Sequence, residues 1–204
     1  MYLRQLPRTA YLAVIAAILA ATSHAGADAR TSRRDADLLK QKVAAINQFA
    51  VRPSKATRRT IVTENEVNAY LTLDAPGDLP VGVLEPSVAI VGPGRLSGRA
   101  VVDLDAVRRQ SPPRSLLDPR NLLIGRLPIT ATGVLTTGNG VAHFSLESAA
   151  IGGLPMPKIV LQEILSYYSR TPQKPDGLSL DGPFDLPSSI REIQVDRGQA
   201  IIIQ

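Results

Sequence analysis

Cysteine and tryptophan are absent from the 204 residues, and histidine occurs only twice. Without cysteine there is no disulfide framework, no thiolate metal site, no Cys–His nucleophile and no residue for thiol-linked lipid modification. His24 falls in the N-terminal segment, which leaves His143. It alternates with Phe144 and Leu146 and reads as the polar face of a strand. Aromatics make up 4% of the chain. Beyond the N-terminal segment they are Phe49, Tyr70, Phe144, Tyr167, Tyr168 and Phe184, scattered rather than interleaved with arginine. A stacking surface for single-stranded nucleic acid is therefore missing, and nucleic acid is not an expected partner.

Signatures of catalysis are equally scarce. The chain has neither a Walker phosphate loop nor a G-x-S-x-G nucleophile elbow. Gly92–Gly98, "GPGRLSG", departs from the dinucleotide-binding spacing by one residue and lies between strands, so it reads as a turn. No catalytic residue, metal ligand or cofactor is assigned. One pair of carboxylates was worth testing. Asp103 and Asp105 would share a face of a strand, roughly 7 Å apart, a spacing compatible with glycosidase-like pairing. Arg99 shares that face, as on ordinary solvated strand surfaces, so a carboxylate hydrolase stands as the third of three readings.

What is present begins with a targeting pattern. Arg4 and Arg8 precede an apolar run, Tyr11–Ala21, too short to span a bilayer, and small-residue triplets follow at Ser23–Ala25 and Ala25–Ala27. That order reads as a secretory signal peptide over residues 1–27, cleaved after Ala25 or Ala27, with an uncleaved anchor as the alternative. Residues 28–204 then form one domain, exported to the periplasm or cell envelope and soluble after cleavage. Losing Arg4 and Arg8 takes the formal charge from +5 to about +3, a modest balance that suits an anionic envelope surface.

Along that domain the periodicity changes twice. Asp35–Ala50 places Leu38, Leu39, Val43, Ile46 and Phe49 on one side of a helix that Pro53 ends. "TENEVNAYL" opens with a capping box, Thr63 and Glu66, flanked by Val62 and Val67 in staple positions, and predicts a short helix through Leu71. From Gly82 the period becomes two. Val88 and Ile90 lead through "GPG" into a strand carrying Leu96, Ala100, Val102 and Leu104 on its apolar face, with Gly98 as a bend or bulge. A second hairpin turns at Asn139–Gly140, with Ile129, Leu135, Phe144 and Leu146 among its apolar alternants. A last hairpin joins Ile190–Val195 to Ala200–Ile203 around "DRGQ". Between them "PKIVLQEILSYYS" predicts a helix with the stripe Val160, Leu161, Ile164, Leu165 and Tyr168, opposite Lys158, Gln162, Glu163 and Ser166. The class is α+β with an antiparallel meander.

An interior that is aliphatic and poor in aromatics suits acyl chains. About a dozen methylenes at ~0.8 kcal/mol each are worth roughly 10 kcal/mol before the cost of association, and no polar motif is required. The candidate lining is Val160, Leu161, Ile164, Leu165 and Tyr168 with Leu96, Val102, Leu104, Leu135, Phe144 and Leu146. Residues 106–126 interleave arginines with leucines, and Arg108, Arg109, Arg114, Leu116 and Leu117 have the composition of a contact with an anionic membrane. The other account of that segment is leucines packed on the sheet with solvated arginines.

"TENEVNAYL", "GRLSGRAVVDLD", "GRLPITATGVL", "IGGLPMPKIVLQEIL" and "FDLPSSIREIQVDRGQAIIIQ" follow one another in this order. Together they resemble the bacterial family of exported lipid-binding proteins that includes the mycobacterial lipomannan-elongation factor, over about Asp35 to Gln204. The resemblance implies a fold similar to tubular lipid-binding (TULIP, BPI-like) domains, in which a strongly curved antiparallel sheet wraps a helix with lipid between them. It implies binding, and possibly transfer, of phospholipid or another acyl-chain lipid, and carries over no catalytic residue. The arginine-rich 106–126 segment matches no feature of that family. A non-enzymatic envelope scaffold with a protein partner is the second reading, in which the apolar stripes are all core.

Overall fold

The structure is a computed structural model that describes residues 32–51, 56–75, 79–110, 124–169, 175–177 and 179–204, with only the backbone of Val107, Arg108, Gln110, Ile164, Tyr167, Tyr168 and Ser169. It is α+β, with a six-stranded and a three-stranded antiparallel sheet. Helix α1 spans Arg33–Val51 and buries Ala36, Leu39 and Ile46. Strand β1, Arg59–Thr63, leads directly into helix α2, Glu64–Leu73. The capping box is complete: Glu66 N–H donates to Thr63 Oγ1 (3.3 Å) and Thr63 N–H to Glu66 Oε2 (3.0 Å). The same Glu66 carboxylate accepts from Lys42 Nζ at 2.6 Å, so one buried acid starts α2 and ties α1 to it.

A meander follows, with β2 (Val83–Gly92), β3 (Arg95–Asp103), β4 (Arg126–Gly138), β5 (Val141–Ile151) and the two-residue β6 (Leu154–Pro155) in sequential order. Helix α3, Leu104–Gln110, follows β3, and helix α4, Lys158–Ser169, follows β6. Strand β7, Phe184–Asp185, pairs with the start of β5. Strands β8 (Glu192–Asp196) and β9 (Gln199–Ile203) form the last hairpin, and β9 pairs on its other edge with β1. At the β4–β5 turn, Asn139 and Gly140 both take positive φ (53° and 81°), as a two-residue turn matched to strand twist requires.

Two local expectations are corrected. Leu104 and Asp105 do not continue the strand. β3 ends at Asp103, whose Oδ1 accepts from Ala106 N–H at 2.8 Å and so caps the first turn of α3. Gly98 is neither bend nor bulge: it lies in regular register between Val88 and Ala131. The irregularities fall at Glu85–Pro86 in the edge strand β2, where Glu85 has φ 49°, at Val91, and at Glu147 in β5.

The register divides the long sheet into two faces. Val88, Ile90, Leu96, Ala100, Ala131, Leu135 and Ala142 are buried and define the inner face. Helix α2 and the small sheet close one half of it: Leu71, Ala75, Val88, Ile90, Leu96, Leu135, Ala142 and Val195 form a single core cluster, with Tyr70, Phe144, Phe184 and Ile193 packed against it. The Phe144 ring packs against Gly133, where a β-carbon would meet the ring and approach Ser145 O to 2.6 Å. Helix α2 also completes edge strand β2. Asn68 Nδ2 donates to Val88 O (2.8 Å), Val88 N–H donates to Asn68 Oδ1 (2.7 Å), and Ile90 N–H donates to Glu64 Oε2 (2.6 Å). Among the described residues, no helix is long and apolar enough to cross a membrane.

Candidate functional site

Beyond the core cluster the inner face continues but is no longer closed. Register carries it to Val83 opposite Val102, Val102 opposite Leu127, and Ile129 opposite both Ala100 and Ile151. Val83, Val102, Leu127, Ile129 and Ile151 are all half-buried. Their chemistry matches that of Val88, Ile90 and Leu96, so the difference lies in what covers them. Among the described residues, the core cluster that helix α2 and β8 share with the sheet includes none of these five.

Helix α4 follows β5 and β6 and packs against β5. It enters through Gly152 and Gly153, both at positive φ, and through Met156 N–H, which donates to Ala149 O at 2.9 Å. None of its described side chains is fully buried. Leu161, Gln162, Leu165 and Ser166 are half-buried, whereas Lys158, Ile159, Val160 and Glu163 are exposed. Leu161 and Leu165 of the predicted stripe are thus joined by Gln162 and Ser166 among the half-buried side chains. Gln162 and Ser166 turn inward because Gln162 Oε1 accepts the backbone N–H of Leu180 (2.7 Å) while its Nε2 donates to Ser166 Oγ (2.7 Å). Val160 falls on the outward side. The side chains of Ile164 and Tyr168 lie outside the described residues.

The other predicted lining residues separate into two groups. Leu96 and Leu135, 5% and 8% exposed, belong to the closed core, and Phe144 packs on it. Val102, Leu104 and Leu146 are half-buried, Val102 on the open half of the inner face and Leu104 in the first turn of α3. Sequence reasoning missed Val83, Leu127, Ile129 and Ile151 as lining, although Ile129 was placed among the apolar alternants of its hairpin. Leu127 and Ile151 are the first and last apolar residues of β4 and β5, and continuing the alternation of Ile129 outward would have found Leu127. Of the proposed membrane contacts, Arg109 is exposed on α3. Only the backbone of Arg108 is described, and Arg114, Leu116 and Leu117 lie outside the described residues.

The paired carboxylates do not share a strand face: Asp103 ends β3 and Asp105 lies in α3. Asp103 accepts from Ala106 N–H and from Arg126 Nε (3.3 Å), and Asp105 Oδ2 accepts from Gly125 N–H (3.2 Å). The backbone bond from Ala106, helped by Arg126, holds the Asp103 carboxyl below the usual aspartate range. Both acids hold the β3–α3 junction against the start of β4. Across the described residues no group of three acidic or histidine side chains is placed to hold a metal ion. Comparison with family models, with curated proteins and with solved structures gives no match to this chain.

Proposed function

We propose that the protein is a non-enzymatic binder of phospholipid or another acyl-chain lipid, exported to the periplasm or cell envelope. The carrying observation is the asymmetry of the inner face: one aliphatic surface, closed by α2 and β8 over half its length and left half-buried at Val83, Val102, Leu127, Ile129 and Ile151 over the rest. A chain folding only for stability gains about 25 cal/mol for each square ångström of apolar surface it removes from water, and this one leaves that gain incomplete along one continuous face. An acyl chain completes it. In this reading the sheet curves around the ligand and α4 closes over it through Leu161 and Leu165, the wrapping that the resemblance to tubular lipid-binding domains implies. The site is the open half of the sheet with α4, and Leu96, Leu135 and Phe144 are the core behind it.

Organic extraction of the purified protein followed by mass spectrometry tests the proposal. It predicts lipid in stoichiometric amount. An extract without lipid, from protein purified without detergent, contradicts it and favours the envelope scaffold.

A further inference from the structure

The strand ends that bound the open half meet at one pole of the long sheet. Asp103 N–H donates to Gly82 O (2.7 Å), Leu104 N–H to Gly125 O (2.9 Å) and Gly152 N–H to Pro128 O (2.8 Å). These bonds gather the start of β2, the start of β4 and the β5–β6 turn. Exposed large apolar side chains stand at and beside this pole: Ile124 at 62% and Val81 just ahead of β4 and β2, and Leu154 at 71% just after the glycine turn. The chain then turns back along β5, where Met156 N–H donates to Ala149 O, and the first turn of α4 adds Ile159 at 73% and Val160. Exposed cations lie among them: Arg109 on α3, Arg126 beside Ile124, and Lys158 beside Ile159.

We propose that this pole is a membrane-contact surface whose apolar tips enter the boundary between headgroups and acyl chains. Exposed apolar side chains dispersed over several segments suit a protein partner poorly, since that needs a contiguous complementary patch, whereas a fluid bilayer fits around each one. Long cationic side chains beside buried tips reach lipid phosphates while their stems remain in the apolar layer. Arg126 is already paired with Asp103 (3.3 Å) and Lys158 with Asp181 (2.6 Å), so insertion rather than net charge drives the contact. The location follows from the proposed function, because the half-buried face ends at this pole and a water-insoluble ligand would cross there directly from bilayer to protein.

The absence of cysteine makes the test clean. Single cysteines at Leu154, Ile159 or Arg197 in the full chain carry an environment-sensitive fluorophore, with Arg197 in the β8–β9 turn as the distant reference. Phosphatidylcholine vesicles should shift the emission of the first two labels to the blue, leave the third unchanged, and do so equally in about 0.5 M salt. Leu154→Asp and Ile159→Asp should each weaken vesicle binding about ten-fold or more with unchanged thermal unfolding. Pole labels that stay silent, or a shift abolished by salt, overturn the proposal. So does a shift already complete without vesicles, which would assign the pole to the chain's own Tyr11–Ala21 run. Extracted lipid together with silent labels overturns this inference alone, whereas responsive labels with a lipid-free extract overturn the binding site alone.

Discussion

Truncating one leucine in the closed core and one in α4 should have different costs. Leu71 is 6% exposed and packed within the cluster of Ala75, Val88, Ile90 and Leu96. Leu71→Ala removes its transfer free energy and leaves a cavity, about 2–5 kcal/mol in all. At about 2–4 °C per kcal/mol for a chain of this length, the melting temperature falls by roughly 5–20 °C. Leu161 is half-buried in a helix with no fully buried described side chain. Leu161→Ala removes three carbons, most of whose surface was hidden, and the gap opens to solvent or ligand instead of leaving a sealed cavity. The cost is about 1.5–2 kcal/mol, or roughly 3–8 °C. Lipid content should move the other way, unchanged in Leu71→Ala at temperatures where it is folded and reduced in Leu161→Ala. The assay is thermal unfolding by circular dichroism on lipid-stripped protein, because a ligand that binds only the folded state raises melting by mass action. A stripped Leu161→Ala protein that melts as low as Leu71→Ala refutes the division of the inner face into closed and open halves.

Three further outcomes follow from the geometry. Asn68→Leu strips both partners from the edge-strand backbone at Val88 and should cost about 2–3 kcal/mol in urea unfolding, with Asn68→Asp intermediate because it keeps the acceptor. Gly133→Ala drives a β-carbon into the Phe144 ring and Ser145 O and should cost about 1–3 kcal/mol by the same measurement. Acid should destabilise the fold through three carboxylates held low: Asp37 and Asp74 by bonds from Arg33, and Asp103 chiefly by the Ala106 backbone bond. A depressed carboxyl contributes stability above its unfolded value, near 3.9, and loses it as pH falls through the lower folded value. Stability measured from pH 6 downward should therefore decline below about pH 4. Asp74→Asn should flatten that decline.

Elements marked by local chemistry were legible in the sequence, and those set by distant partners were not. Thr63 and Glu66 start α2 through bonds three residues apart, and Asn139–Gly140 marks the β4–β5 turn by its own backbone preference, even though Gly140 also bonds Arg191 O and Leu186 N–H. Strand β1 is different: Arg59–Thr63 becomes a strand by pairing with Ile203–Gln199, about 140 residues away, and its own five residues do not announce that partner. Asp103 shows a true ambiguity. An acidic residue alternating with Val102 fits a strand face as well as a helix cap, and the backbone N–H of Ala106 together with Arg126 decides between them. In α4, periodicity located the helix but did not foresee the half-buried Gln162, which is drawn inward by the backbone of Leu180, eighteen residues on. The apolar identity of the candidate site was readable at Val102, Leu161 and Leu165. Which half of the sheet stays open was not, since that depends on where α2 lands.

Photo-crosslinking with a phospholipid carrying a diazirine in its acyl chain tests the central claim most directly. After loading, irradiation and proteolysis, the account predicts adducts on peptides containing Val102, Leu127, Ile129 and Leu161. It predicts none on those containing Leu71, Val88 or Val195. Adducts confined to the closed core, or spread evenly over the surface, would contradict an acyl-chain site on the open half of the sheet.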